Sequence, residues 1–193
     1  MDGRDLTAAA LDALRLADID PQDRIAPNFR VYELTRSETA DRQRIANAFT
    51  TDDELRSAVF LVREVLQPIR AAFGSFSPNS VFRGQALERA LKNRPSSWIS
   101  TSQHTQGRAC DVEIPGKPTL ELARWASENL ATFDQIICEC YDPRKGPNSG
   151  WVHISLVPPG RGTNRREKLS YVFDKATNRL AYVYGFEESL GLA

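Results

Sequence analysis

What most constrains the fold of this chain is a change of apolar period along it. Up to about residue 93, apolar residues recur every three or four positions, the spacing of helices with one buried face. From residue 109 on, runs of period two appear, the spacing of strands with one face on a core. Leu6, Ala10, Leu14 and Ala17 predict a helix over 3–17, which Asp18-Ile19-Asp20-Pro21 breaks, leaving the stretch to Pro27 as a linker. Phe29–Leu34 reads as a short extended entry. Asp52 is placed to cap a helix over 53–73, with Leu55, Val59, Val62, Leu66 and Ile69 on one stripe and Val65 beside it. Pro68 should kink that helix or begin its last turn. Shorter helices are expected over 85–93, with Leu87, Ala90 and Leu91 apolar, and over 118–131, burying Leu122, Trp125 and Ala126. Strands are expected over 109–114, 133–141 and 151–157, and 170–173 with 180–186 read as a hairpin. Helices first and strands later imply an α+β fold, helices packed on a mostly antiparallel sheet. At 193 residues, this is one domain over 29–193 preceded by a helical arm over 1–28.

Composition excludes several classes. Equal numbers of basic and acidic residues, 25 each, argue against a general nucleic-acid binder. The balance hides a positive middle, since residues 61–110 hold seven basic and two acidic groups, a segment suited to facing an anionic ligand. No window approaches 18 consecutive apolar residues, so no membrane span is expected. The first residues lack a charged-then-apolar export pattern, so no signal peptide is expected.

Histidine is scarce, with only His104 and His153 available for any imidazole chemistry. Strand alternation puts Asp111, Glu139 and His153 on polar positions of otherwise apolar strands, and it sends Cys110, Cys138 and Cys140 to the opposite face. If those strands are neighbours, Asp111, Glu139 and His153 can share one face. His104 sits in the loop entering the first of these strands. A loop histidine, a strand carboxylate and a strand histidine can form a three-ligand metal site with an open fourth position, and imidazole with carboxylate suits zinc. A lone strand histidine or aspartate could equally be a satisfied structural residue, and the three cysteines could form a separate zinc-binding set.

The segments Ser102-x-His104-x-x-Gly107-x-Ala109-x-Asp111, Phe133-Asp-Gln-Ile-Ile-Cys-Glu139 and Gly150-Trp-Val-His153-Ile-Ser155 together resemble the zinc D-Ala-D-Ala carboxypeptidase and L-alanyl-D-glutamate endopeptidase superfamily. Its members cut peptidoglycan stem peptides and include bacteriophage endolysins, and the N-terminal domain of Hedgehog shares the fold. Leu66-Gln-Pro-Ile-Arg70 and Ser80-Val-Phe-Arg83 fit the endolysin-like branch it most resembles. The resemblance implies zinc ligands His104, Asp111 and His153. It also implies Glu139 as general base on the attacking water, Arg83 as the group holding the substrate carbonyl or oxyanion, and Ser102 as a substrate contact or loop-shaping residue. Members of several branches carry the acidic base three residues before the second histidine; here that residue is Gly150, so the base falls to Glu139. The usual Ser-Gly-Tyr-Arg is Ser-Val-Phe-Arg. The implied function is zinc-dependent hydrolysis of a D-amino-acid-containing peptide bond in peptidoglycan. The alternative is a non-enzymatic phage virion or assembly protein using the same fold. The arm could dock other virion proteins, and the implied location is a phage virion, or the host cytoplasm before release to the cell wall.

Overall fold

The structure is a computed structural model that describes residues 3–174 and 179–186. The chain begins not with the expected helix but with an irregular arm holding two short 3-10 turns, Leu11–Ala13 and Leu16–Asp18. The carbonyls that a helix there would use are taken elsewhere. Arg63 donates to the Leu6, Ala9 and Ile25 carbonyls at 2.6, 2.7 and 3.0 Å, and Arg56 donates to Leu14 at 2.9 Å. Tertiary hydrogen bonds from a rigid helix thus outcompete a weak local propensity. Leu14 is buried in the main core, and Leu6, Leu11 and Leu16 pack against it. The expected linker is also ordered, containing β1 (Arg24–Ala26), which pairs with β2 (Phe29–Arg30).

Two short helices follow, α1 (Tyr32–Thr35) and α2 (Glu38–Gln43). The long helix runs over 52–73, as the stripe predicts, in three pieces: α3 (Asp52–Leu61), a π-helical turn over Val62–Leu66, and α4 (Gln67–Phe73). Pro68 stands at the start of the last piece. It lacks an N–H and crowds the preceding turn, and a widened turn just before it relieves both problems. Leu55, Val59, Val62, Val65, Leu66 and Ile69 are all fully buried. The cap is Thr51 rather than Asp52. The Thr51 hydroxyl accepts from the Glu54 N–H, and the Glu54 carboxylate accepts from the Thr51 N–H, a reciprocal capping box. Asp52 instead accepts from the Leu16 N–H at 2.7 Å and pins the arm.

After α5 (Gln85–Leu91) the chain enters a five-stranded sheet. Its strands are β3 (Ala109–Val112), β4 (Gln135–Glu139), β5 (Trp151–Ser155), β6 (Glu167–Asp174) and β7 (Arg179–Tyr184), in the order β3-β5-β4-β6-β7. Pairing is antiparallel except between β4 and β6, so the fold is α+β with a mostly antiparallel sheet. β6 and β7 form the expected hairpin, while its turn over 175–178 lies outside the described residues. α6 (Thr119–Asn129) packs on β4 and β5 and buries Leu122, Ala123 and Ala126, with Trp125 half-buried. The back face of the sheet, including Cys110, Val112, Ile136, Cys138, Val152 and Ile154, joins the same core as the long helix. The opposite face is left for chemistry.

Candidate metal centre

The register settles which polar side chains meet. Asp111 pairs with His153, and His153 pairs in turn with Ile137 of β4. Residues directly opposite one another across a sheet share a face, so Asp111 and His153 stand side by side, with Glu139 two residues along β4 from Ile137. The outer edge of β3 is covered by the segment before Arg83: Asn79 donates to the Asp111 carbonyl, and the Asp111 N–H donates to Ser80, at 2.9 and 2.8 Å. His104 comes from a 3-10 turn, Gln103–Gln106, closed by Gly107 in the left-handed conformation. Gly107 is required there twice over. Its φ is +67°, and a Cβ would lie 2.3 Å from the Glu54 carbonyl oxygen of α3. The glycine therefore lets the histidine turn sit directly on the long helix.

Three side chains converge: one ligand atom from each of His104, Asp111 and His153 lies within 4.8 Å of the others, and all three residues are buried. Asp111 Oδ1 is 3.2 Å from His104 Nε2 and 3.0 Å from His153 Nδ1. Two ligands roughly 2.0–2.1 Å from a tetrahedral zinc stand roughly 3.3 Å apart, so these spacings fit a shared ion. The tautomer of His104 is set by its other nitrogen, 2.7 Å from the Val81 carbonyl oxygen. A carbonyl can only accept, so Nδ1 carries the proton and Nε2 presents its lone pair to the centre. Burial lowers the His104 pKa, with Asp111 pulling the other way, so the neutral, ligating form is favoured at neutral pH. Burial would raise the Asp111 pKa, but His104, His153 and Arg83 outweigh it and hold the carboxyl well below its ordinary value.

Arg83 is the cationic partner of Asp111, donating to Oδ2. It also donates to Ser80 Oγ at 2.7 Å and reaches Glu88 Oε1 at 3.4 Å, with its side chain 21% exposed on the cleft wall. Glu88 is the residue that sequence reasoning missed. It is fully buried, bound by Ser100 Oγ at 2.9 Å and Lys92 Nζ at 2.6 Å. Burial pushes its pKa up, yet those two hydrogen bonds and the charges of Lys92 and Arg83 bring it below the usual value. A signal existed: Glu88 is one of only two acids in the positive middle segment. The α5 face was misassigned, because Leu91 points outward while Leu87 and Glu88 point in.

Glu139 lies on the same face, paired in register with Trp151. Burial raises its pKa, with Asp111 adding and His153 and Arg83 opposing. It lines a cleft of about 590 Å³ together with Arg83, Ser102, His104, Asp111 and His153. Ser102 shapes the histidine turn through its backbone, its carbonyl accepting from the Thr105 N–H and hydroxyl at 3.0 and 2.7 Å. Gly150 now has a physical reason. Its φ is +71°, and a Cβ there would stand 2.1 Å from the Glu139 carbonyl oxygen. No side chain, carboxylate included, fits at that position. The cysteines take no part in this cluster. Cys110 and Cys138 are buried on the other face; burial pushes the Cys110 thiol well up and the Cys138 thiol up to about 12, which disfavours the thiolates that zinc needs. Cys140 sits just past β4 with φ +56°.

Comparison with known proteins gives one family match: the model described as Peptidase M15 aligns with residues 27–155, which contain His104, Asp111, Glu139 and His153. No curated protein matches the chain.

Proposed function

Since this chain belongs to the peptidase M15 family, whose model spans more than half of it, and is thereby a metallopeptidase, we propose that it hydrolyses a D-amino-acid-containing peptide bond of peptidoglycan stem peptides with a zinc ion held by His104, Asp111 and His153. The observation that carries the reading is the buried convergence of those three donors within 4.8 Å, on the wall of an open cleft. The donor set favours zinc over harder ions, because two of its three members are imidazoles.

Zinc bound there would supply Lewis acidity toward the scissile carbonyl and would acidify an attacking water. The chain's own residues do the rest. Val81 orients the His104 imidazole through its non-ligating nitrogen. Glu139 is the base that takes the proton of the attacking water and returns it to the leaving amine. Glu139 stands on the wall of the same cleft as the three ligands, where an attacking water would lie. Arg83 orients the ligand carboxylate through Asp111 Oδ2, and its position on the cleft wall suits it to meet the substrate carbonyl or the developing oxyanion. Ser102, also on that wall, is a candidate substrate contact.

The test is digestion of purified peptidoglycan by the full chain with zinc and with a chelator, the products identified by mass. New free amines that vanish with chelator and return with zinc are expected, and the product masses distinguish carboxypeptidase from endopeptidase cleavage. Muropeptides left intact by a protein that binds zinc tightly would overturn the reading.

A further inference from the structure

The sheet continues past the metal centre into strands that the family match does not reach: β6 and β7 lie beyond residue 155. Two rows of paired residues cross it. One runs Asp111, His153, Ile137, Leu169, Tyr184, and the next runs Trp151, Glu139, Tyr171, Tyr182. Residues so paired share a face, so the face that carries Glu139 carries Tyr171 beside it and Tyr182 beyond. The two tyrosine rings stack, with centroids 4.4 Å apart and planes 32° from parallel. Both line the metal cleft. Seven large hydrophobic side chains are exposed among the described residues, and four of them, Phe173, Leu180, Tyr182 and Tyr184, belong to this hairpin. All four fall on the same face as Tyr171 by strand alternation. Tyr182 is 60% and Tyr184 80% exposed. A contiguous aromatic surface of this kind marks a binding site rather than ordinary surface.

Resting on the peptidoglycan reading above, we infer that the Tyr171–Tyr182 platform is a subsite for the sugar rings to which the stem peptide is attached. Continuity places it: two strand spacings separate Glu139 from Tyr182, about 10 Å, which two or three extended residues span. Chemistry selects the occupant. Of the cations lining the cleft, Arg83 and Lys92 lie toward α5 and Arg165 is paired with Glu167 at 3.1 Å at the start of β6, whereas the outer part of the hairpin face presents tyrosines, Phe173 and Leu180. A saccharide ring has flat C–H faces and a rim of hydroxyls, and an exposed tyrosine offers an apolar ring and a polar tip. A second copy of the chain could also reach this face, since β7 is the end strand of the sheet.

The test compares hydrolysis of a free stem peptide with that of the same peptide carrying its disaccharide, in the zinc-loaded full chain and in Tyr182→Ala and Tyr182→Phe. The disaccharide is expected to lower KM about tenfold in the wild type. The ratio of the two KM values should fall to about one in Tyr182→Ala and be largely retained in Tyr182→Phe. Equal KM values in the wild type, or a ratio that survives Tyr182→Ala, would overturn the subsite while leaving the peptidase intact. If neither substrate is cleaved, the peptidase reading fails, and titration with an N-acetylglucosamine tetramer decides the subsite alone. Quenching or shift of the tyrosine signals that is lost in Tyr182→Ala supports it, and no binding overturns it. Sedimentation that shows a dimer abolished by Tyr182→Ala would assign the face to self-association and also overturn it.

Discussion

Replacing Arg83 with methionine should destabilise the metal-free protein far more than the zinc-loaded one. Asp111 has a side chain only 7% exposed, and Arg83 on its Oδ2 is its one full cation; the two histidines share Oδ1. Removing one partner of a buried pair costs about 3–5 kcal/mol, because the other charge stays buried. Two features pull the figure to the low end. Arg83 is itself 21% exposed, and Glu88 keeps Lys92 when the arginine goes. About 3 kcal/mol is therefore expected without metal, or a melting shift of about 6–12 °C for a chain of this size. A zinc ion at His104, Asp111 and His153 would give Asp111 a nearer and larger positive charge, so the cost should fall by at least half. Zinc at about 100 times its Kd also adds about 2.7 kcal/mol to the wild type. Thermal or urea unfolding of both proteins, with chelator and with saturating zinc, reads all four values. Equal losses in the two conditions would refute the idea that arginine and metal share Asp111.

Gly150→Ala should cost at least about 2 kcal/mol, since its Cβ would meet the Glu139 carbonyl at 2.1 Å and its φ is +71°; an unchanged melt would contradict the close approach of the two strands. Asp134, whose side chain is 3% exposed, accepts from Arg165 and Gln103, and these bonds outweigh burial to hold its pKa below the ordinary value. A carboxylate lowered in this way contributes stability above its unfolded pKa and loses it as pH falls through the folded one. Because Arg165 is half exposed, Asp134→Asn should cost only about 1–2 kcal/mol at pH 7. The gap between variant and wild type should close as pH drops below about 4; a gap that stays constant to pH 3 would refute the assignment. Replacing Cys110, Cys138 and Cys140 together with alanine should leave zinc stoichiometry unchanged, and loss of zinc would return the cysteines to consideration as ligands.

The parts of the fold that were legible in the sequence are those governed by a local period. The stripe from Leu55 to Ile69 reads as a helix because its burial repeats with the turn. The faces of β3, β4 and β5 follow from alternation, which is why Asp111, Glu139 and His153 could be placed together before any pairing was known. What escaped depended on distant partners. The arm has helical spacing, but Arg63 and Arg56, dozens of residues away, take its carbonyls. Glu88 looks like a surface position of a short helix until Arg83, Lys92 and Ser100 are seen around it. Gly150 reads as a missing carboxylate until the backbone of Glu139 is found against it. The parallel pairing of β4 with β6, and with it the tyrosine platform, leaves no local trace, because register between distant strands is a property of the assembled sheet.

The most direct test of the account is peptidoglycan digestion by the wild type and Glu139→Gln side by side, each first brought to one equivalent of bound zinc. The amide keeps the shape of the side chain and removes its capacity to take a proton. The account predicts that both proteins hold the metal and that the variant's rate of amine release falls by about 10²-fold or more. Hydrolysis at an undiminished rate in Glu139→Gln would contradict it.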